Sequence, residues 1–340
     1  MTFFSRISPS IRPLLFFRSA VLSVLFSSLV GCAGFSGKSI VLAQDERFAV
    51  VVAGQNDTLG SLAGRYLGDP ALAWKIQDFN GIDRLAPGQE IVIPLVNGNP
   101  TGVRSSGYQV VPVLCYHRFG SERHKMVVSP ARFREQMAFL KREGYRVVRL
   151  EALKAFLEGR GDLPERAVVI TVDDGYRSFF DVAYPILRSF DYPATLFVYS
   201  DFVGAPAGLT REQLRHMAAS GLIDIQPHSK THSHLGRPEE GESKTAFSSR
   251  VSEELAVPRR ALAEFTTDSL DAFAYPYGAS SDEALSALEE QGYRMALTVT
   301  PGGNAAYAYP LMLRRTMIFG DHTLADFERR LKTFEPMNNS

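Results

Sequence analysis

Cysteine is nearly missing: the 340-residue chain has two, Cys32 and Cys115. That excludes the dense disulfide framework that staples small secreted domains, so the fold must rest on an apolar core. An excess of one charge is missing as well. Lys plus Arg and Asp plus Glu both number 37, which leaves no basic surplus for nucleic acid and no acidic tail. Tryptophan occurs once, at Trp74, which reads more readily as a core residue than as a sugar platform. What the chain does have is 45% apolar residues and length for one large domain plus a smaller one.

The N-terminus differs from the rest. Residues 1–31 carry Arg6, Arg12 and Arg18, no acidic residue, and a short apolar run at 20–26, the pattern of an export signal. That run is short for a membrane-spanning helix. The signal ends in Leu29-Val30-Gly31-Cys32, which resembles a bacterial lipobox. The resemblance implies an exported lipoprotein anchored to the membrane at Cys32, on the periplasmic face of the outer membrane; a plain signal peptide with a chance cysteine is the other reading. Removing residues 1–31 subtracts three arginines and gives 34 − 37 = −3 for the remainder. Cys115, inside the apolar run Val111-Pro112-Val113-Leu114-Cys115-Tyr116, reads as a buried, inert thiol.

Three blocks follow: a tether at 33–46, a compact unit at 47–96, and a linker at 97–107 rich in Gly, Asn and Ser. In the compact unit a strand at 48–52, helices at 59–66 and 71–79, and a strand at 90–94 give the order βααβ. With Val52-Ala53-Gly54, Asp57-Thr58-Leu59, Ile76, Asn80 and the run Leu85-Ala86-Pro87-Gly88-Gln89-Glu90-Ile91-Val92-Ile93-Pro94, this unit resembles a LysM domain. That resemblance implies binding of N-acetylglucosamine-containing glycans; a LysM-like fold serving only as a spacer is the alternative.

From residue 108 to about 335, apolar strands alternate with amphipathic helices. The alternation predicts an α/β fold of parallel strands with outer helices, most simply a (β/α) barrel. In such barrels the chemistry gathers at the C-terminal strand ends. Polar residues stand at four of those ends: His117, the pair Asp173 and Asp174, the pair His228 and His232, and Tyr277 with Gly278. Two adjacent carboxylates at a strand end can take different tasks, although acidic caps on a helix would read the same way. Two histidines four apart can reach one ion, from a helical turn or a folded loop. One carboxylate and two imidazoles make a common three-ligand set with an open coordination position.

These residues carry a family resemblance over roughly 109–320. Thr171-Val172-Asp173-Asp174-Gly175 and His228-Ser229-Lys230-Thr231-His232 resemble the first two motifs of the polysaccharide deacetylases, the NodB-homology or carbohydrate esterase 4 family. Tyr275-Pro276-Tyr277-Gly278 resembles the third. The resemblance implies a distorted (β/α) barrel and metal-dependent removal of N-acetyl groups from a polysaccharide. Asp173 is then the general base, Asp174, His228 and His232 hold a divalent metal, usually zinc, and the Tyr277 N–H stabilises the oxyanion. Two departures stand out. Ala274 occupies the place of an arginine that orients the base, and Leu313-Arg314-Arg315 lacks the histidine of a late motif. Both are similar to the branch that acts on poly-N-acetylglucosamine, which also begins with a run like Leu114-Cys115-Tyr116-His117. By that resemblance His117 is a candidate general acid; a strand-end hydrogen bond is its other reading. The small unit points to peptidoglycan and the departures to exopolysaccharide. A glycan-binding envelope lipoprotein with an impaired barrel is the rival function.

Overall fold

The computed structural model describes residues 37–337. The signal segment and Cys32 lie outside the described residues.

The small unit has the expected order. Strand Phe48–Val52 pairs antiparallel with Glu90–Pro94, and helices Leu59–Leu67 and Ala73–Asn80 lie between them in sequence. Thr58 caps the first helix by accepting from the Ser61 N–H, and Gly68 ends it at φ 82. Ala49, Val51, Leu62, Ala63, Ile76, Ile91 and Ile93 form its core. Two expectations need correcting here. Part of the presumed tether, Ile40–Gln44, is a third strand on the edge beside Phe48–Val52. It stayed hidden because all five residues are exposed, so no apolar-in, polar-out alternation marks it. Trp74 is outside the core and only partly buried. It lines a cleft of about 860 Å³ between the small unit and the barrel.

The presumed linker also has structure. Val103–Arg104 pairs with Gly107–Gln109, which in turn pairs with the C-terminal strand Phe334–Pro336. A packed joint results. Lys75 meets Asp162 at 2.5 Å, and Arg146 bonds Gln77 at 2.9 Å and Asp78 at 2.7 Å. These barrel residues lie at or before the starts of strands Arg146–Val147 and Ala167–Val172. The small unit is therefore docked at the lower end of the barrel, away from the C-terminal strand ends.

Four parallel strands form the centre of the barrel, in the order Ile223–Pro227, Ala194–Val198, Ala167–Val172, Val111–Tyr116. Thr316–Met317 adds parallel to the last of these. Ala272–Ala274 and Met295–Leu297 form a separate parallel pair, so the barrel is distorted rather than evenly closed. Val111–Tyr116 and Ala167–Val172 are buried at every position, as runs apolar but for Thr171 require, and the Thr171 hydroxyl is satisfied by donating to the Leu114 carbonyl. Registers Val172 to Tyr116, Val172 to Leu196 and Val198 to Pro227 bring the strand ends to within two residues of one another. The residues that follow, His117, Asp173, Tyr199 and His228, thus converge on one upper face.

Candidate active site

The backbone at this face is strained where the side chains matter. Among the described non-glycine residues with positive φ are Asp174 at 76°, Ser229 at 74°, His232 at 66° and Tyr277 at 60°. Each such position costs of order 1 kcal/mol and clusters where function over-determines the chain. Gly175, at φ 83, completes the turn after the acidic pair; a Cβ there would sit 3.0 Å from Val198 Cγ1.

Asp173 leaves its strand with its N–H donating to the Tyr116 carbonyl at 2.9 Å, and its side chain is 2% exposed. Arg315 grips it from below with two parallel hydrogen bonds, Nη1 to Oδ1 at 2.6 Å and Nη2 to Oδ2 at 2.8 Å. The guanidinium is fully buried and is itself held by Nε donating to the Thr298 carbonyl at 2.8 Å. Burial opposes the charge on Asp173, but Arg315 and His228 outweigh it and hold the carboxyl below its usual range.

This corrects the sequence reading. The arginine that orients the base is present, delivered by Arg315 rather than from position 274. The segment read as lacking a histidine is the one that carries it. A signal existed: Leu313 and Arg315 are buried on either side of the exposed Arg314, past the short helix Pro310–Met312, so Arg315 shares the inward face of Leu313. Sequence spacing gave no hint of its partner 142 residues away.

Asp174 points elsewhere. His232 Nε2 lies 3.3 Å and His228 Nε2 3.4 Å from its Oδ1. One potential ligand atom from each of the three residues lies within 4.8 Å of the others. The site's own chemistry tests whether a cation fits. His228 Nδ1 is 2.7 Å from the Ala274 carbonyl, which only accepts, so that nitrogen carries the proton. In the neutral ring, Nε2 then presents a lone pair toward a carboxylate oxygen. Asp174 Oδ1 is buried with no hydrogen-bond donor aligned on it. Lone pairs converging with nothing between them are what a divalent cation satisfies, and the Ala274 carbonyl supplies the outer contact that fixes a ligand histidine. Burial opposes ionisation of Asp174 too, but a proton on the facing imidazoles holds it far below the ordinary carboxylate range, and a bound cation would take the place of that proton.

Both histidines come from a folded loop, not a helical turn. Ser229 Oγ accepts from the His232 N–H at 2.9 Å. The loop is tied down by Glu254, a buried residue of helix Lys244–Leu262 that sequence reasoning missed. Its Oε2 accepts from the N–H groups of Lys230 and Thr231, both at 2.9 Å, and its Oε1 from the Thr231 hydroxyl at 2.6 Å. In sequence Glu254 is one more acid in the helical pair Glu253-Glu254, with nothing to single it out.

His117 lies beside Asp173 and Cys115, with one potential ligand atom from each within 4.8 Å of the others. Burial lowers its pKa while Asp173 and Asp174 pull the other way. Cys115 is fully buried, as expected, and its Sγ is 3.5 Å from Asp173 Oδ2. Burial pushes its pKa well up, which suits an inert thiol under the base. The Tyr277 ring packs edge-on against His232, centroids 4.7 Å apart, and its backbone N–H stands in a turn at the mouth. His234 stacks on the other side of Tyr277 at 6.0 Å. His322 is half-buried outside this cluster, and its Nδ1 accepts from the Phe319 N–H.

Residues 160–296 match the family model described as polysaccharide deacetylase, a stretch that holds Asp173, Asp174, His228, His232 and Tyr277. The chain is 29% identical over 194 residues to YxkH of Bacillus subtilis (strain 168), covering 56% of this chain and 65% of that one. It is 26% identical over 251 residues to the poly-beta-1,6-N-acetyl-D-glucosamine N-deacetylase of Escherichia coli (strain K12), covering 63% of this chain but only 37% of the relative. The solved structure of IcaB from Ammonifex degensii is similar at a TM-score of 0.58 and 26% identity, over 66% of this chain and 97% of that one.

Proposed function

With a polysaccharide deacetylase domain over residues 160–296 as premise, we propose that the chain hydrolyses N-acetyl groups on an N-acetylglucosamine polymer, poly-β-1,6-N-acetylglucosamine in the first instance. The observation that carries the reading is the division of labour in one buried pair: Asp173 clamped by Arg315, Asp174 turned to His228 and His232.

Asp174, His228 and His232 would hold a divalent ion, zinc by their donor chemistry. When bound, such an ion supplies Lewis-acid polarisation and makes water acidic near neutral pH. The chain's own groups do the rest. Asp173, kept ionised, takes a proton from the attacking water as its oxygen bonds to the amide carbon. The Tyr277 N–H donates to the developing oxyanion, a contact of the kind worth about 3 kcal/mol. His117 gives a proton to the nitrogen as the carbon–nitrogen bond breaks, leaving acetate and a free amine. Arg315 fixes the orientation and charge of the base.

The same reading extends outward from the barrel. The small unit serves as a LysM-like glycan tether, and the full protein is exported and lipid-anchored at Cys32 in the cell envelope. The buried Arg315 clamp weakens the rival of an impaired barrel, because it supplies the base's missing partner.

The test is acetate release by the zinc-loaded full chain from poly-β-1,6-N-acetylglucosamine, peptidoglycan and chitin oligomers, with Asp173→Asn in parallel. Release from the first, falling about 10²- to 10⁴-fold in the variant, is expected. No release from any polymer, or undiminished release in the variant, overturns the assignment.

A further inference from the structure

Ile40, Val41 and Leu42 are 50%, 48% and 53% exposed, and among the described residues no other run of three consecutive large apolar side chains stands open. They belong to the edge strand Ile40–Gln44, whose five residues are all exposed. One side of that strand pairs with Phe48–Val52, and its other side has no strand beside it. Single exposed apolar residues are ordinary, whereas a contiguous set on an open sheet edge marks a surface that something covers.

The register of the strand bears on what that is. A second copy would add its own strand along the edge, which needs an even row of backbone donors and acceptors. Here the register slips between Val41 and Ala43, so Leu42 bulges without a partner. A bulge blunts strand addition and re-aims the bulged side chain. A lipid surface needs no such row, because headgroups and interfacial water satisfy open backbone groups outside the hydrocarbon. The flanking charges, Lys38 and Arg47 against Asp45 and Glu46, are two positive and two negative, so the attraction is apolar rather than coulombic.

The course of the chain agrees. Ile40 is eight residues past Cys32, a reach of at most about 28 Å. The strand also lies on the far side of the small unit from the barrel. It is at the opposite edge of the sheet from Glu90–Pro94, and Ser39 beside it accepts from Arg65 of helix Leu59–Leu67. The bonds to the barrel come instead from Lys75, Gln77 and Asp78 of helix Ala73–Asn80.

We propose that Ile40, Val41 and Leu42 seat the small unit on the interfacial layer of the bilayer that holds the Cys32 lipid. The barrel then stands with its catalytic end turned away from the membrane. This rests on the lipid-anchor reading of Cys32 and is independent of the deacetylase reading.

The experiment uses the full chain in its acylated form, purified from the membranes of a bacterial host and reconstituted into vesicles of phosphatidylethanolamine and phosphatidylglycerol. Trp74→Phe removes the one tryptophan of the chain, and Leu42→Trp or Val103→Trp then supplies a single reporter. Both positions are exposed, at 53% and 59%, so neither change disturbs the core. Brominated acyl chains should quench the Leu42→Trp emission about twofold, and high salt should leave that loss in place. The Val103→Trp emission, from the joint beside the barrel, should stay unquenched. No quenching of Leu42→Trp in the acylated chain overturns the contact, as does equal quenching of the two reporters. A blue-shifted Leu42→Trp emission that bromine leaves unchanged overturns it in favour of a second copy on the edge. Intact mass tells the two readings apart: a chain without an acyl group at Cys32 removes the anchor and the contact together, whereas an acylated but unquenched chain removes the contact alone.

Discussion

At the upper end of the barrel Asp173 and Asp174 are buried yet held ionised, whereas at the lower end Asp224, also largely buried, is pushed up to about 6. Burial is the largest influence in all three cases. The difference lies in the company. Asp173 has a bidentate arginine and Asp174 has two imidazoles. Asp224 has the Gln226 amide at 2.8 Å and the Thr195 hydroxyl at 3.3 Å, both neutral, and Asp268 adds like charge. A single strand joins the two regimes: Ile223–Pro227 has Asp224 near its start and His228 immediately after its end. Burial alone would neutralise a carboxylate; an ionised pair at the mouth requires cationic partners reaching in from distant segments.

Removing the partner that makes the difference should have the largest effect. Arg315→Met leaves Asp173 buried and unpaired and should lower stability by about 3–5 kcal/mol, measured by denaturant unfolding. It should also raise the Asp173 pKa, moving the acidic limb of the activity profile to higher pH. The double variant Arg315→Met with Asp173→Leu should recover much of the lost stability, because no lone charge remains. Loss of the loop support comes next. Glu254→Gln weakens the acceptor for Lys230, Thr231 and its hydroxyl, and zinc affinity by competition titration should fall about 10- to 100-fold.

The lower end gives the smallest effect, with the sign reversed. A native pKa near 6 against 3.8 means that the folded state binds the proton more tightly, so stability falls as pH rises from about 4 to 6. The ceiling is about 3 kcal/mol, and the partial exposure of Asp224 reduces it to about 1–2 kcal/mol. Asp224→Asn should therefore be the more stable protein at pH 8 and converge on the wild type below about pH 4, read from thermal unfolding across that range.

The sequence shows the two ends unequally. Strand Ala167–Val172 and helix Arg211–Ala219 fall where the apolar pattern puts them, because both bury what the pattern marks. The residues at the strand ends were legible for the same reason: an apolar run that stops at a charge marks a strand end. Arg315 and Glu254 were not, since each acts through a partner far away in sequence, and long-range pairing leaves no local period. The exposed strand Ile40–Gln44 and the strands inside the presumed linker were missed because they bury too little to leave a pattern.

The central claim is that the upper end is a metal site whose carboxylate ligand is Asp174. Elemental analysis of the purified, zinc-equilibrated full chain tests it most directly, with Asp174→Asn prepared alongside. About one zinc per wild-type chain, and essentially none in the variant at matched folding by circular dichroism, is the expected result. Equal zinc content in the two proteins, or a wild type that holds none, would contradict it.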